Sequence, residues 1–227
     1  MCRWKKIPED MKSNAVLQYY LMLRKKNFSL FFKRVFDIVV SLIMLIILSP
    51  LFLILAIAIK ADSKGPVFYR QVRVTQYGKE FRIFKFRTMV SNADKIGSQV
   101  TVDNDSRITK VGKFIRKCRL DEVSQLLNVL GGSMTFVGTR PEVPKYVAQY
   151  TDEMKATLLL PAGITSLASI KYKDEAKLLE NAENVDETYL AEVLPQKMEY
   201  NLLALRKYGF WRDIGTMFRT VGAVLKR

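Results

Sequence analysis

The stretch RLDEVSQLLNVLGGSMTFVGTRP, from Arg119 to Pro141, carries the strongest local pattern in the sequence. Its apolar residues recur at the spacing of one helical face, at Val123, Leu126, Leu127 and Leu130. This spacing predicts a short amphipathic helix from Leu120 to Leu130. Gly131-Gly132 would end it, because glycine readily adopts the left-handed conformation that stops a helix. Asp121 and Glu122 would then lie in the first turn, where free N–H groups and the helix dipole favour negative charge.

The acidic pair is either a helix cap or part of a site. An isolated acidic pair at a helix N-terminus is most often a cap. Here, however, an alternating apolar segment and then Gly138-Thr139-Arg140-Pro141 follow the predicted helix. With these residues the stretch resembles the pattern SLDELPQLxNVLxGxMSxVGPRP of the bacterial sugar transferases, also called monotopic phosphoglycosyl transferases. The resemblance extends from about Lys33 to about Lys173, with the motifs in the order that the family has.

Composition restricts both the chemistry and the partners. The 227 residues are enough for one domain with a sizeable core plus extensions. A formal charge of +15 requires an anionic partner: nucleic acid, an anionic membrane surface or a phosphorylated substrate. The chain has no histidine, which excludes Ser–His–Asp and Cys–His catalysis and histidine-ligated zinc. Cys2 and Cys118 are too few and too far apart for a disulfide scaffold.

The segment from Ile38 to Ile59 is uncharged and long enough to reach across a hydrocarbon layer. A single transmembrane helix is the ordinary interpretation. Ser49-Pro50 lies in its middle, however, and proline removes a backbone hydrogen bond and kinks a helix. Basic residues flank both ends, and such flanks prefer the cytoplasmic side. The residues alone leave a span and a kinked hairpin open. The family resemblance implies a re-entrant helix broken at Ser49-Pro50, and we predict the hairpin.

The predicted fold class is α+β and mainly helical, with a re-entrant membrane hairpin, a small cytoplasmic globular domain and interfacial amphipathic helices. We divide the chain into a basic, interfacial segment (1–36), the membrane helix (37–60), a catalytic domain (61–195) and a C-terminal amphipathic helix (196–227). The residues up to Asn14 are expected to be poorly ordered. For the basic stretch from Ala15 to Phe36, a membrane surface and packing on the protein's own core are both open.

Periodicity and turn residues predict the elements of the globular domain. Strands are predicted at Val67–Tyr69, from Glu80 to Met89 and from Leu167 to Tyr172, a helix from Glu142 to Leu160, and a turn at 161–165. A polar loop from Ser91 to Asp105 and a charged, exposed segment from Lys173 to Asn184 complete the pattern.

A site that transfers a phosphorylated sugar needs cations for the phosphates, a divalent metal with oxygen ligands and, optionally, a nucleophile. Mg²⁺ prefers one or two carboxylates together with substrate phosphates, which Asp121 and Glu122 could supply. Arginine binds phosphate oxygens in a bidentate fork, which favours Arg116 and Arg140. An aspartate can also attack phosphorus and form an acyl phosphate. For each basic residue, a solvated surface charge is the alternative.

The resemblance implies roles for individual residues. Asp121 matches the family's nucleophile, which takes a phospho-sugar from a UDP-sugar, releases UMP and passes the phospho-sugar to polyprenyl (undecaprenyl) phosphate. Asp121 is also the expected Mg²⁺ ligand, and Glu122 would assist the metal or the acceptor phosphate. The basic residues expected to bind substrate phosphate are Lys85, Arg116 and Arg140, which match family positions, and Arg87, which lies in the same segment as Lys85.

The implied location is the cytoplasmic face of a bacterial inner membrane, where the enzyme would start polysaccharide assembly. Two departures from the family pattern bear on sugar recognition: Thr139 replaces a proline, and Pro161-Ala162-Gly163 alters a turn.

Two other functions are compatible with the charge. One is a non-catalytic, membrane-tethered basic module that binds acidic lipid or nucleic acid, and the other is an anchor that recruits partner enzymes. The sequence has no nucleic-acid motif of recognised spacing, so we expect no nucleic-acid partner. The terminal amphipathic helices are candidates for a homodimer contact as well as for a membrane contact.

Overall fold

A computed structural model of the protein describes residues 1–93, 105–172 and 184–225. The predicted loop from Ser91 to Asp105 lies largely outside these residues, and the predicted segment from Lys173 to Asn184 lies outside them except for its last residue. The described part of the chain is mainly helical with small β-sheets, which confirms the predicted helical fold with a minor β component.

The helices follow one another along most of the chain. In order they are α1 (Asn14–Arg24), α2 (Asn27–Ile47), α3 (Ser49–Asp62), α4 (Lys110–Lys117), α5 (Leu126–Leu130), α6 (Pro144–Val147), α7 (Leu167–Lys171), α8 (Val185–Thr188), α9 (Leu194–Arg206) and α10 (Phe210–Leu225). Tighter 3₁₀ turns lie at Trp4–Lys6, Glu9–Met11, Gln76–Gly78, Leu120–Gln125 and Met154–Leu159, and a π-helical turn at Tyr189–Val193 joins α8 to α9.

The strands are short and form two-stranded sheets. They are β1 (Phe68–Tyr69), β2 (Val72–Val74), β3 (Glu80–Arg82), β4 (Lys85–Phe86), β5 (Met134–Val137) and β6 (Ala162–Thr165). β1 pairs with β4 and β2 with β3, both antiparallel, whereas β5 and β6 are parallel. The strand predicted at Val67–Tyr69 is therefore confirmed as β1.

The N-terminal residues pack against the C-terminal helices. Ile7 and Met11 are buried in the same apolar cluster as Tyr20 of α1 and Leu194 of α9. The expectation that the residues before α1 are poorly ordered is therefore wrong, because their apolar side chains help to cover α1. The stretch from Ala15 to Phe36 was predicted either to lie on a membrane surface or to pack on the protein's own core, and α1 packs on the core.

The predicted helix break at Ser49-Pro50 is confirmed by the junction of α2 and α3, which are bent by 61° relative to each other. Pro50 has no N–H to donate to the Ile46 carbonyl, and the Ser49 hydroxyl donates to that carbonyl instead, at 2.8 Å. No single helix among the described residues is long and apolar enough to cross a membrane, although this bent pair satisfies those criteria together.

One side of the bent pair α2–α3 is apolar and exposed. The exposed residues on it include Phe28, Phe31, Phe32, Val39, Leu42, Ile43, Ile46, Ile47, Leu53, Ile54 and Ile57. The opposite side packs against the globular part through residues such as Leu45, Leu55 and Ile59. A contiguous exposed apolar surface of this kind is typical of a membrane or protein contact.

Two predicted elements near residue 165 are wrong. Leu167–Lys171 is helix α7 instead of a strand, because the Ser166 hydroxyl caps it by accepting a hydrogen bond from the Ser169 N–H at 2.9 Å. Residues 162–165 form strand β6 instead of a turn, because they pair with β5, which is distant in sequence.

Two longer predicted elements are interrupted. The helix predicted from Glu142 to Leu160 consists only of α6 and a 3₁₀ turn. The strand predicted from Glu80 to Met89 breaks after Arg82, where the Asn128 side chain replaces a strand neighbour. Its Oδ1 accepts from the Phe84 N–H at 2.7 Å, and its Nδ2 donates to the Arg82 carbonyl at 3.2 Å.

The close approach at the ends of β5 and β6 yields a stability prediction. A Cβ atom at Gly163 would lie 2.1 Å from the Gly138 nitrogen, so these two main chains fit together only without a side chain. We expect Gly163→Ala to lower the free energy of unfolding by about 1–3 kcal/mol, the typical cost of overpacking a close-packed site. Thermal and denaturant unfolding of the detergent-solubilised protein measure this change.

Gly215→Ala in α10 is the matched control, since a Cβ there would meet no atom within 4 Å. Alanine favours a helix over glycine, so this variant should be as stable as the wild type or more stable. Equal losses of stability in both variants would contradict the packing explanation.

Candidate functional site

Asp121 and Glu122 lie just after a sharp turn of the chain. Arg119, between α4 and the following 3₁₀ turn, has a left-handed φ of 56°. The acidic pair then occupies the first turn of a 3₁₀ segment that becomes the α-helix α5 only at Leu126. The predicted acidic first turn is confirmed, but the prediction of a single α-helix is wrong in its first half. Short 3₁₀ turns are common at the N-termini of α-helices.

The carboxylate of Glu122 binds two cations. Arg140 Nη1 donates to Glu122 Oε2 at 3.2 Å, and Arg140 Nη2 donates to Oε1. Lys85 Nζ lies 3.3 Å from the same Oε1. The Glu122 side chain is only 17% exposed, and burial alone would raise its pKa. The charges of Arg140 and Lys85 outweigh burial, so the pKa of Glu122 is held well below its usual range.

Asp121 lies beside this cluster without joining it. Burial raises the pKa of Asp121, the neighbouring charge of Glu122 raises it further, and the charges of Lys85 and Arg116 counteract both. Burial correspondingly lowers the pKa of Lys85, against the attraction of Glu122. Within the described residues the Asp121 carboxylate makes no salt bridge, so it is available to a substrate or a metal.

Of the predicted phosphate-binding residues, Lys85, Arg116 and Arg140 converge on the acidic pair. Lys85 comes from β4 and Arg140 from the segment after β5. Arg116 is half-buried in the last turn of α4, close enough for its charge to lower the pKa of Asp121. Residues that are distant in sequence thus form one basic surface around two carboxylates.

Arg87 lies elsewhere. Its guanidinium is buried and donates to the main-chain carbonyls of Ser63 at 2.6 Å and Lys64 at 3.0 Å, just after the end of α3. These bonds fasten the end of α3 to the globular part of the protein. We therefore leave Arg87 out of the proposed phosphate-binding set, because its Nη1 and Nη2 atoms already donate to main-chain carbonyls.

Three charged residues of α2, which are not among the predicted site residues, hold the elements that carry the site. Arg34 donates to the carbonyls of the last two residues of α5, at 2.6 and 2.9 Å. Asp37 accepts from the Thr135 hydroxyl at 2.6 Å, and Lys33 Nζ donates to the Val137 carbonyl at 2.9 Å, both in β5. Asp37 could have been found from the sequence, because it borders a long uncharged segment, where a charged side chain requires a specific partner.

Asp121 also fits the predicted role of Mg²⁺ ligand. Within residues 1–93, 105–172 and 184–225, no group of three or more cysteine, aspartate or glutamate side chains is arranged to hold a metal ion. Mg²⁺ does not require one, because it commonly binds one or two protein carboxylates and completes its shell with substrate phosphates and water. Glu122 is already neutralised by two cations, which leaves Asp121 as the available carboxylate.

Comparison with known proteins identifies relatives along nearly the whole chain. The family model described as "Bacterial sugar transferase" matches residues 28–227. A UDP-glucose:undecaprenyl-phosphate glucose-1-phosphate transferase from Klebsiella pneumoniae is 41% identical over 196 residues, which cover 84% of this chain and 39% of the relative. A UDP-N-acetylgalactosamine-undecaprenyl-phosphate N-acetylgalactosaminephosphotransferase from Aeromonas hydrophila is 35% identical over 198 residues, 86% of this chain and 44% of the relative.

An undecaprenyl-phosphate galactose phosphotransferase from Salmonella typhimurium is 33% identical over 217 residues, 89% of this chain and 42% of the relative. This chain therefore spans less than half the length of these curated relatives. The names of the three relatives specify three different sugars.

The cluster around Glu122 predicts a pH-dependent stability. The pKa of Glu122 is lowered in the folded protein, so its stabilisation is complete above the ordinary glutamate pKa of about 4.3 and is lost as the pH falls below that value. We expect Glu122→Gln to cost about 2 kcal/mol at pH 7, the typical worth of a hydrogen bond to a charged group. The difference from the wild type should stay constant from pH 6 down to about 4.3 and shrink from there to pH 3, as measured by thermal unfolding.

Glu9→Gln is the control, because Glu9 pairs with Lys12 while its side chain is 88% exposed. An exposed pair of this kind contributes little, so this variant should follow the wild type at every pH. A Glu122→Gln deficit that stays constant from pH 6 to pH 3 would contradict a charge-based role.

Proposed function

The chain belongs to the bacterial sugar transferase family, and we propose from this premise that it transfers a sugar phosphate from a UDP-sugar to polyprenyl phosphate. The transfer would be the first membrane step in the assembly of a bacterial glycan. The observation that carries the proposal is the Asp121 carboxylate, which makes no salt bridge within the described part of the chain, beside a carboxylate that holds two cations together. The names of the relatives support the class of donor and acceptor.

The proposed reaction has two displacements at one phosphorus atom. The Asp121 carboxylate attacks the phosphorus that bears the sugar, the bond from that phosphorus to the bridging oxygen breaks, and UMP leaves with that oxygen. An aspartyl phospho-sugar remains on the protein. A phosphate oxygen of polyprenyl phosphate then attacks the same phosphorus, the bond to Asp121 breaks, and polyprenyl diphosphate sugar leaves. Two displacements replace one difficult step by two easier ones.

The cations of the cluster neutralise the phosphates in this scheme. Arg140 has a planar fork of donors that matches phosphate oxygens, and Lys85 offers a point charge beside it. Arg116, in the last turn of α4, is close enough for its charge to act on Asp121. Glu122 keeps Lys85 and Arg140 in place before the donor arrives, because a buried carboxylate with two cations fixes the positions of all three. Such preorganised charge is the main source of catalysis in phosphoryl transfer.

We include Mg²⁺ as the cofactor, with Asp121 as its protein ligand. When bound, the ion neutralises the negative charge of the donor diphosphate and of the leaving UMP. The raised pKa of Asp121 also limits the working range, because only the ionised carboxylate can attack phosphorus or bind the ion. The protein's own contribution is to keep Asp121 accessible while Glu122 is occupied by Lys85 and Arg140.

We place the bent pair α2–α3 in the cytoplasmic leaflet of the bacterial inner membrane, as a hairpin that enters and leaves by the same face. Its exposed apolar side supports membrane insertion, and its 61° bend supports re-entry. The helix α10 adds an interfacial surface, since Trp211, Phe218 and Val221 are 80%, 73% and 57% exposed. Arg212 and Arg219 beside them suit an anionic headgroup region.

Asp121→Asn should abolish UMP release, because asparagine cannot form the acyl phosphate. We expect activity below about one thousandth of the wild type, whereas Glu122→Gln should retain some activity because Glu122 is not the nucleophile. The assay uses purified protein in nanodiscs with Mg²⁺, undecaprenyl phosphate and a panel of UDP-sugars, and it measures UMP.

The exposed Asp152→Asn is the matched control and should behave as the wild type, since Asp152 lies on the surface beside Lys155. UMP produced from one sugar by the wild type would also identify the donor. Folded wild-type protein that released no UMP from any sugar would overturn the proposal and favour a non-catalytic basic module.

The hairpin predicts that the residues before α2 and after α3 lie on the same side of the membrane. We expect cysteines at Lys25 and Lys64, both exposed, to be labelled from the cytoplasmic side only, in a chain whose Cys2 and Cys118 are changed to serine. Ile47→Cys, 69% exposed beside the bend, should resist a water-soluble maleimide because it lies in hydrocarbon. Labelling of Lys25→Cys and Lys64→Cys from opposite sides would show a span.

A further inference from the structure

Main-chain hydrogen bonds hold the short segment that carries Arg140 on its N-terminal side. The Gly138 N–H donates to the Thr165 carbonyl at 3.0 Å, and the Gly163 N–H donates to the Thr139 carbonyl at 2.8 Å. Both bonds join this segment to β6, in the region where the two glycines allow the chains to meet. The backbone immediately before Arg140 is therefore fixed by main-chain bonds that need no side-chain donor or acceptor.

On the C-terminal side of Arg140, two residues of β2 hold the segment, one through its side chain and one through its main chain. Arg73 Nη1 donates to the Pro141 carbonyl at 3.0 Å, and the Val74 N–H donates to the Glu142 carbonyl at 3.0 Å. The two carbonyls that follow Arg140 are thus bound by two successive residues of β2. Of these two hydrogen bonds, only the one from Arg73 comes from a side chain, so a substitution can remove it.

Arg73 is itself held in one conformation. The Gln71 Oε1 atom accepts from Arg73 Nε at 3.1 Å and from Nη2 at 2.7 Å, and the Glu142 carboxylate lies 3.9 Å from Nη1. The Arg73 side chain is 20% exposed. Gln71 binds the Nε–Nη2 edge of the planar guanidinium, which directs Nη1 at the Pro141 carbonyl.

Glu142 connects this arrangement to the C-terminal helices. Its Oε1 accepts from the Tyr189 hydroxyl at 2.6 Å, and Lys197 Nζ lies 3.4 Å from the same oxygen and 2.8 Å from the Tyr189 hydroxyl. All three side chains are buried. A buried carboxylate requires such partners, and together they immobilise the residue two positions after Arg140.

On the basis of the proposed function, we propose that Arg73 is a positioning residue that holds Arg140 in place for the donor phosphate. Arg73 reaches the site through the Pro141 carbonyl, next to Arg140, and its own donors are engaged with Gln71 and Pro141. Loss of this contact would remove the donor to the carbonyl of the residue next to Arg140, while the contacts of Glu142, one residue further on, would remain. Arg140 would then spend less time in its bidentate contact with Glu122.

The first test measures the position of Arg140 without using activity. Phenylglyoxal modifies free arginine side chains, and mass spectrometry of the Arg140 peptide gives the modification rate. We expect Arg73→Gln to raise this rate several-fold, because Arg140 leaves its carboxylate partner more often. Arg82→Gln removes an exposed arginine from the neighbouring strand β3 and should leave the rate unchanged. An unchanged rate in folded Arg73→Gln would overturn the proposal.

The second test is a double-mutant cycle on UMP release, with Arg73→Gln, Arg140→Gln and the double variant. We expect Arg73→Gln alone to lower kcat/KM about tenfold, and to have less than about a twofold effect once Arg140 is already glutamine. Equal effects in both backgrounds would mean that Arg73 acts independently of Arg140, and would overturn the proposal. Arg73→Lys should remain impaired, since lysine keeps the charge but cannot bind Gln71 and Pro141 together.

Failure of this inference is distinguishable from failure of the proposed function. Wild-type protein without UMP release would refute the function, while the phenylglyoxal rates would still decide the role of Arg73. If Arg73→Gln does not fold, Gln71→Ala takes its place, because it removes only the acceptor that holds Arg73. We expect a smaller rise in the Arg140 modification rate in this variant, and an unchanged rate would overturn the proposal.

Discussion

The contact of the Glu122 carboxylate with Arg140 and Lys85 is the constraint around which the site is built. Each of the three charges is partly buried, and each would be costly to bury without the others. Their contact brings together β4, the 3₁₀ turn after α4 and the segment after β5. Burial and the neighbouring charge of Glu122 raise the pKa of Asp121, and within the described residues its carboxylate makes no salt bridge. One carboxylate has a structural role and the other remains available for chemistry, although they are adjacent in sequence.

The bent helix pair is fastened to this site at both of its ends. At its start, Lys33, Arg34 and Asp37 bind the main chain and side chains of α5 and β5. At its end, Arg87 binds carbonyls just after α3, and the Asp62 carboxylate accepts from the Val111 N–H of α4 at 2.9 Å. The elements that carry Asp121 and Arg140 therefore have a fixed relation to the apolar surface. Under the proposed function, a lipid acceptor that enters along that surface would meet the site at a defined depth.

Several successive sets of contacts fix the position of the Arg140 side chain. Its guanidinium binds Glu122, its backbone neighbours are bound by β6 and β2, and the β2 contact depends on Arg73 and Glu142. The outermost layer, Tyr189 and Lys197, comes from the helices near the C-terminus. The position of the Arg140 side chain thus depends on residues over most of the length of the chain.

Local patterns predicted some features of the protein well and others poorly. The helix break at Ser49-Pro50 was predictable because proline has no N–H to donate. The acidic first turn at Asp121 was predictable because the apolar residues that follow it recur at helical spacing. Strand β6 was predicted as a turn, because its pairing with the distant strand β5 is not visible in the local sequence. Helix α7 was predicted as a strand, because the Ser166 cap outweighs a weak local strand propensity. Arg87 and Lys85 look equivalent in sequence, yet one binds the carbonyls after α3 and the other binds Glu122.

The sequence by itself determined the family, the bend in the apolar segment, the absence of histidine chemistry and the identity of the acidic pair. These features depend on residue type and short-range spacing, which the chain carries in every conformation. Only the tertiary structure decided which cations contact the carboxylates. It also decided that Arg73 and Glu142 hold the segment that follows Arg140. Charged side chains on short strands and turns can point toward several neighbours. Their partners are set by packing between segments that are far apart in sequence, because a buried charge is stable only where the folded chain supplies its counterpart.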